Sequence, residues 1–131
     1  AFSSNRGRLP WPVGQGNIVR NYGSVTVERG VRDFYDYIRI RTSDGAPVKT
    51  VFEGTVLQVI NIGSYAVVVQ HGEYLTAYSN LKSVNVSKGQ KISTGTVIGA
   101  ADSDPEVGYS YIDLSVYRGT TSMNPSIWIA R

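Results

Sequence analysis

The side chains that could do chemistry here are one histidine, His71, ten carboxylates, and nine tyrosines, many spaced two residues from an arginine or an aspartate. A zinc centre needs at least three N, O or S ligands converging at about 2 Å, drawn from His, Cys, Asp and Glu. With a single histidine and no cysteine, the chain is poorly supplied for one. The absence of cysteine also excludes a disulfide framework and a thiolate nucleophile. His71 precedes Gly72 between two apolar runs, the end of a hairpin, which makes a structural role the expectation. Serine catalysis lacks both a base and the Gly-x-Ser-x-Gly elbow. Asp102 and Asp104 are close in sequence but fall in a stretch, 101–108, that reads as an acidic loop. Gly14-Gln15-Gly16 has neither the helix nor the lysine of a phosphate-binding loop.

The tyrosines carry a clearer signal. Residues 109–118 run Tyr-Ser-Tyr-Ile-Asp-Leu-Ser-Val-Tyr-Arg. Ile112, Leu114 and Val116 alternate with Tyr109, Tyr111, Asp113, Ser115 and Tyr117, the period of a strand with an apolar face and a polar, aromatic one. Residues 35–41 repeat the pattern, with Ile38 and Ile40 opposite Tyr35, Tyr37, Arg39 and Arg41. Residues 74–80 alternate Tyr74, Thr76, Tyr78 and Asn80 against Leu75, Ala77 and Ser79. Three strands with one aromatic, polar face each imply a groove floor over a shared core.

The elements that must hold this floor are short strands. Fourteen glycines, abundant Val, Ile and Thr and a single Met point to an all-β sandwich or barrel. Residues 66–69, Ala-Val-Val-Val, are apolar on both faces and read as a central strand. Residues 17–23 give a short strand and turn, and 24–33 a strand or loop. Leu9-Pro10-Trp11-Pro12 is extended, because each proline restricts its predecessor. Residues 1–8 are polar and expected to be flexible, leaving 9–131 as one domain. A partial internal echo links Gly45, Val48, Thr50 and Gly54-Thr55-Val56 to Gly89, Ile92, Thr94 and Gly95-Thr96-Val97. Two copies imply a pseudo-duplicated β architecture and not a solenoid.

A formal net charge of +3 is mild. It suits an anionic partner without the dense basic stripe of a nucleic-acid binder. No apolar run reaches the length of a membrane span. The first residues lack the apolar segment of a signal peptide, consistent with a cytoplasmic chain or one already trimmed.

Taken together and in order, Arg8-Leu9-Pro10-Trp11-Pro12-Val13, Gly45-Ala46-Pro47-Val48, Gln70-His71-Gly72, Tyr78-Ser79-Asn80-Leu81, Val86-Ser87-Lys88-Gly89-Gln90 and the terminal Asn124-Pro125-x-x-Trp128 resemble a lysostaphin-type (LytM) zinc metallopeptidase domain. The resemblance covers nearly the whole chain. It implies an antiparallel all-β fold of the sandwich or barrel-sandwich-hybrid kind. Family members bind zinc through His-x-x-x-Asp and the second His of His-x-His, with a Tyr-x-His-Leu motif assisting. Those positions fall here on Tyr35 and Arg39, on Tyr111 and Asp113, and on Tyr78 and Asn80. Every ligand and catalytic histidine is replaced, apart from the chemically possible Asp113. A guanidinium at Arg39 cannot act as a ligand. The expectation is therefore a pseudo-peptidase with no cofactor.

Degenerate domains that open with Arg-Leu-Pro-Trp-Pro-Val and close with Asn-Pro-x-x-Trp resemble the EnvC-like murein hydrolase activators. That resemblance implies a periplasmic domain that cuts nothing and docks on a cell-wall N-acetylmuramoyl-L-alanine amidase. In that group a coiled coil reaches a division-associated transporter complex, and these residues hold no heptad stretch. The expected partner-binding groove comprises Tyr35, Tyr37, Arg39, Tyr78, Asn80, Tyr111, Asp113 and Ser115. Tyr and Arg are the side chains favoured at binding hot spots. An aromatic, weakly basic groove also suits peptidoglycan itself, the alternative partner. Finally, opposite charges now stand at two former ligand positions, which predicts an Arg39–Asp113 ion pair in place of the metal.

Overall fold

The computed structural model describes all residues, 1–131. It is almost wholly antiparallel β structure, with three short turns of 3-10 helix and no α-helix. The strands are β1 (Asn17–Arg20), β2 (Gly23–Thr26), β3 (Arg32–Tyr35), β4 (Ile38–Arg41), β5 (Pro47–Lys49) and β6 (Gly54–Asn61), followed by β7 (Tyr65–His71), β8 (Tyr74–Val84), β9 (Lys91–Ile92), β10 (Val97–Asp104), β11 (Tyr109–Arg118) and β12 (Thr121–Met123). Ten of them form one sheet in the order β1-β4-β11-β10-β8-β7-β6-β9, with β12 on β11 and β5 on β10. The second half of β11 also pairs directly with β8. The remaining two, β2 and β3, pair only with each other, as a separate ribbon.

The alternation read from sequence builds the core. Ile38, Ile40, Ile112, Leu114, Val67 and Val69 are fully buried on the inner face of the sheet. Val48, Val51, Ile92 and Ile98 join them in one contiguous cluster. Burying a side chain of this size contributes about 1.5–3 kcal/mol. The internal echo has a structural counterpart. β5 of the first copy pairs with β10 of the second, while β9 of the second pairs with β6 of the first. Thr50 and the Gly95-Thr96 turn exchange two backbone hydrogen bonds, at 3.0 and 3.1 Å. Each copy thus completes the other, as a duplicated unit does when neither can bury its apolar face alone.

Three expectations need correction. The segment 1–8 is packed, not loose: Phe2 is buried and stacks on His71 and Tyr74, with ring centroids 4.8 and 4.9 Å away. Apolar ring burial outweighs the polar composition around it. The stretch 35–41 is not one strand. It breaks at Asp36-Tyr37, where the chain turns from the ribbon into the main sheet, and Asp36 accepts a hydrogen bond from the Tyr117 hydroxyl. Asp102 and Asp104 lie within β10, opposite Tyr111 and Tyr109, so the acidic loop is confined to 105–108.

Candidate functional site

Directly opposed residues of antiparallel strands share a face, so the outer face of the sheet can be read in rows. One row runs Arg20, Arg39, Asp113, Ser79 and Ala66 across β1, β4, β11, β8 and β7. The next, along β11, is Ser115, Ala77 and Val68, and beyond it Tyr117, Leu75 and Gln70. In the other direction Arg41, Tyr111 and Asp102 form a row across β4, β11 and β10. These rows are the floor of the groove.

Its polar end is a lattice of guanidinium groups, rings and carboxylates. Arg39 donates from Nε and Nη2 to the two carboxylate oxygens of Asp113, at 2.9 and 3.1 Å. Its guanidinium also lies 3.9 Å from the Tyr111 ring centroid. The Tyr111 hydroxyl donates to Asp104 at 2.8 Å. Arg20 stacks over Tyr35 at 4.3 Å and donates to the Tyr37 hydroxyl at 2.9 Å. Arg41 stacks over Tyr109 at 4.7 Å. Arginine over a tyrosine face is held both by the ring quadrupole and by apolar contact.

Burial sets the electrostatics. The side chains of Arg39 and Asp113 are only 11% and 15% exposed. Burial pushes the Asp113 carboxyl above the ordinary carboxylate range, against the pull of Arg39. Burial also disfavours the charge on Arg39, but the hydrogen bond and field of Asp113 outweigh it and hold the guanidinium above its usual value. Burial and the hydrogen bond to Asp104 push Tyr111 up to about 12. Tyr117, part-buried and bonded to Asp36, is likewise pushed up to about 12. Both phenols are therefore neutral donors at physiological pH.

The predicted residues divide unevenly. Arg39, Tyr111, Asp113 and Ser115 lie together on the floor, and Tyr35 and Tyr37 flank them. Tyr78 does not belong to the groove. It is completely buried, on the inner face. Its hydroxyl accepts from Val51 N–H at 2.9 Å and bonds Thr76 Oγ1 at 2.8 Å. Asn80 does not share a face with it either. Asn80 has φ +67° and is the extra residue of a β-bulge, left out where Ser79 and Leu81 find partners on β7. Asn tolerates this left-handed conformation better than most residues. Its side-chain amide donates to the carbonyls of Asp102 and Tyr111, at 3.0 and 2.9 Å. It therefore ties the floor together where β8 passes from β11 to β10.

Sequence reasoning missed Arg20 and Asp104 and, apart from Ser115 and Tyr117, the apolar end of the groove. There Val68, Leu75, Ala77, Tyr117, Gly119 and Thr120 line a trough of about 370 Å³. Strict alternation through Asn80 placed Tyr74, Thr76 and Tyr78 outward, so Leu75 and Ala77 were assigned inward. A larger hollow of about 640 Å³, lined by Trp11, Val13, Gly14, Gln15 and Gly16, contains no titratable side chain.

His71 lies at the end of β7, buried on the inner face and away from the groove. Its Nδ1 is 2.7 Å from the Glu53 carbonyl, so Nδ1 carries the proton, and Nε2 accepts from Thr76 Oγ1 at 2.8 Å. Thr76 in turn accepts from Tyr78, which accepts from Val51 N–H. Burial favours the neutral imidazole, lowering its pKa below the usual histidine range. Gly54 permits the approach. A Cβ there would lie 2.2 Å from the Gln70 carbonyl oxygen and 2.8 Å from His71 Nδ1.

The residues at the positions that the LytM resemblance aligns with metal ligands do not fit zinc. Arg39 offers only donors, Tyr35 is stacked under Arg20, and Asp113 spends both oxygens on Arg39. No group of three or more His, Cys, Asp or Glu is close enough to hold a metal ion.

The comparisons agree with this architecture. The model of peptidase family M23 matches residues 34–125, and the chain belongs to that family. It is 29% identical over 102 residues to the cell division protein DipM of Caulobacter vibrioides, covering 75% of this chain and 16% of that protein. A zinc-containing peptidase from Vibrio cholerae shares the fold, with a TM-score of 0.81 at 20% identity over 92% of this chain and 40% of that one. So does a chain of the SpoIIQ–SpoIIIAH pore-forming complex, at 0.80 and 19%, over 95% and 92%. The chain spans at most 28% of the length of the curated relatives it matches.

Proposed function

We propose that this chain is a catalytically inactive M23 domain. It binds a cell-wall N-acetylmuramoyl-L-alanine amidase in the periplasm and activates it during peptidoglycan remodelling and daughter-cell separation. The observation that carries this reading is the bidentate Arg39–Asp113 pair. It occupies two positions that the LytM resemblance aligns with metal ligands. A fixed guanidinium there leaves neither a Lewis acid site nor a base to activate water, and what remains is a shaped, partly apolar, tyrosine-rich groove. Recognition is the use to which such a surface is suited. Relatedness to a cell division protein supports the setting.

The experiment is a release assay on dye-labelled sacculi, using amidases encoded in the same genome, with and without this domain. Stimulation that is lost in Tyr111→Ala, with folding intact, supports the reading. No stimulation of any amidase overturns it.

A second reading is a peptidoglycan-binding module. The half-buried tyrosine rings of Tyr35, Tyr37 and Tyr109 next to Arg20 and Arg41 favour it, since such surfaces stack on sugars and meet stem-peptide carboxylates. A sacculus pull-down that depends on Arg41 and Tyr109, without amidase stimulation, would replace the first reading by this one.

A further inference from the structure

The groove is divided chemically along its length. At one end, Leu75, Ala77 and Val68 floor the trough with aliphatic carbon, and Tyr117 closes its side. At the other end three guanidinium groups, Arg20, Arg39 and Arg41, lie on adjacent strands. Only Arg39 has a carboxylate partner within 4.0 Å. Arg20 and Arg41 are held over tyrosine rings with no counter-charge of their own. The neighbouring carboxylates are already engaged: Asp113 by Arg39, Asp104 by the Tyr111 hydroxyl, and Asp102, one strand further from Arg41, by the Ser103 N–H.

We infer that the groove reads a protein segment carrying an apolar anchor at one end and a carboxylate at the other. The inference rests on the amidase reading and adds the chemistry and polarity of the segment. The anchor fills the trough beside Ala77. The carboxylate reaches Arg20 and Arg41, which their rings hold in place before binding, so little side-chain entropy is lost on pairing. Between Tyr111 and Tyr117, six residues of β11 separate the two ends by about 20 Å. A segment spanning both must hold its two features roughly 13–20 Å apart, for example about three turns of helix. A glycan strand fits the cationic end but not the trough, whose aliphatic lining offers almost no hydrogen-bond partner to sugar hydroxyls. A protein segment satisfies both ends.

The test pans a phage library of random 16-residue peptides on the wild-type domain and on two variants, Arg20→Glu/Arg41→Glu and Ala77→Glu. Melting temperatures of all three are measured in parallel. We expect wild type to enrich peptides combining Asp or Glu with a distant Leu, Ile, Phe or Met. An enriched peptide should bind the charge-reversed variant about tenfold more weakly, and panning on that variant should select Lys or Arg in place of the acid. Ala77→Glu should lose the apolar anchor. The same consensus on wild type and on a folded charge-reversed variant overturns the inference, as does no enrichment at all. Saturable binding of muropeptides at the trough residues, with no peptide selected, also overturns it in favour of a glycan ligand. The amidase assay separates the two levels. Full stimulation by Arg20→Glu/Arg41→Glu refutes the charge inference and leaves amidase activation standing. Failure of wild type to stimulate refutes the amidase reading, whatever panning selects.

Discussion

Arg39 and Asp113 are directly opposed Cα partners on β4 and β11, and their side chains close a two-hydrogen-bond ring across the two strands. The pair is neither fully buried nor open to solvent, and a guanidinium stacked on Tyr111 is fixed before the carboxylate meets it. Removing one partner strands a desolvated charge, whereas removing both does not. Arg39→Met and Asp113→Leu, each alone, are therefore expected to lose roughly 2–3 kcal/mol, between the exposed and buried limits for ion pairs. Arg39→Met/Asp113→Leu should stay within about 1 kcal/mol of wild type. Urea unfolding of the two singles and the double gives the coupling energy directly. Additive losses would show that the two residues do not act as a unit.

These two positions, with Tyr35 as a third, should accept a metal when given ligating side chains. Tyr35→His/Arg39→Asp/Asp113→His rebuilds the ligand set that the family resemblance implies. It is expected to take up about one zinc per chain, measured by elemental analysis after dialysis, while wild type takes up none. Stoichiometric zinc in the wild-type protein would contradict the pseudo-peptidase assignment.

Tyr78 provides the complementary control. Its hydroxyl is an internal link between Val51 N–H and Thr76. Tyr78→Phe leaves that N–H without a partner, at a cost of about 1–3 kcal/mol. Because the ring faces the core, amidase stimulation should be unchanged at temperatures where the variant is folded. Loss of stimulation without loss of stability would return Tyr78 to the groove.

Acid should weaken the fold through His71. The folded protein holds the imidazole neutral, with Nδ1–H on Glu53 and Nε2 accepting from Thr76, and burial lowers its pKa. The unfolded chain takes up the proton near pH 6.5. The stabilisation is thus complete above about pH 6.5 and is lost as pH falls through that value toward the lower folded pKa. Thermal midpoints measured from pH 7.5 to 5 should fall more steeply for wild type than for His71→Gln. Parallel slopes would assign the acid sensitivity to other groups.

Much of this was legible in the residues themselves. Period-two alternation located β11 to the residue, and the LytM resemblance, which sets the opposite charges of Arg39 and Asp113 at facing ligand positions, announced their pairing. The ribbon β2–β3 was legible only as a strand or loop over 24–33, because Phe34 and the flanking Val27 and Val31 remain exposed and the ribbon buries little. Phe2 was hidden by its polar neighbours, since a single ring needs only a local cavity and not a periodic face. The decisive error came at Asn80. One bulge residue shifts every side chain on its far side to the opposite face. Alternation carried back through Asn80 therefore put Tyr78 outside and concealed the apolar trough of Leu75 and Ala77.

The central claim is that the groove recognises a partner and cuts nothing. The most direct test incubates the purified domain, with zinc supplied, on labelled sacculi alone and together with a purified amidase from the same genome. The account predicts no release by the domain alone, strong stimulation of the amidase, and loss of that stimulation in Tyr111→Ala at temperatures where the variant is folded. Zinc-dependent release by the domain alone, or an amidase indifferent to its presence, would contradict it.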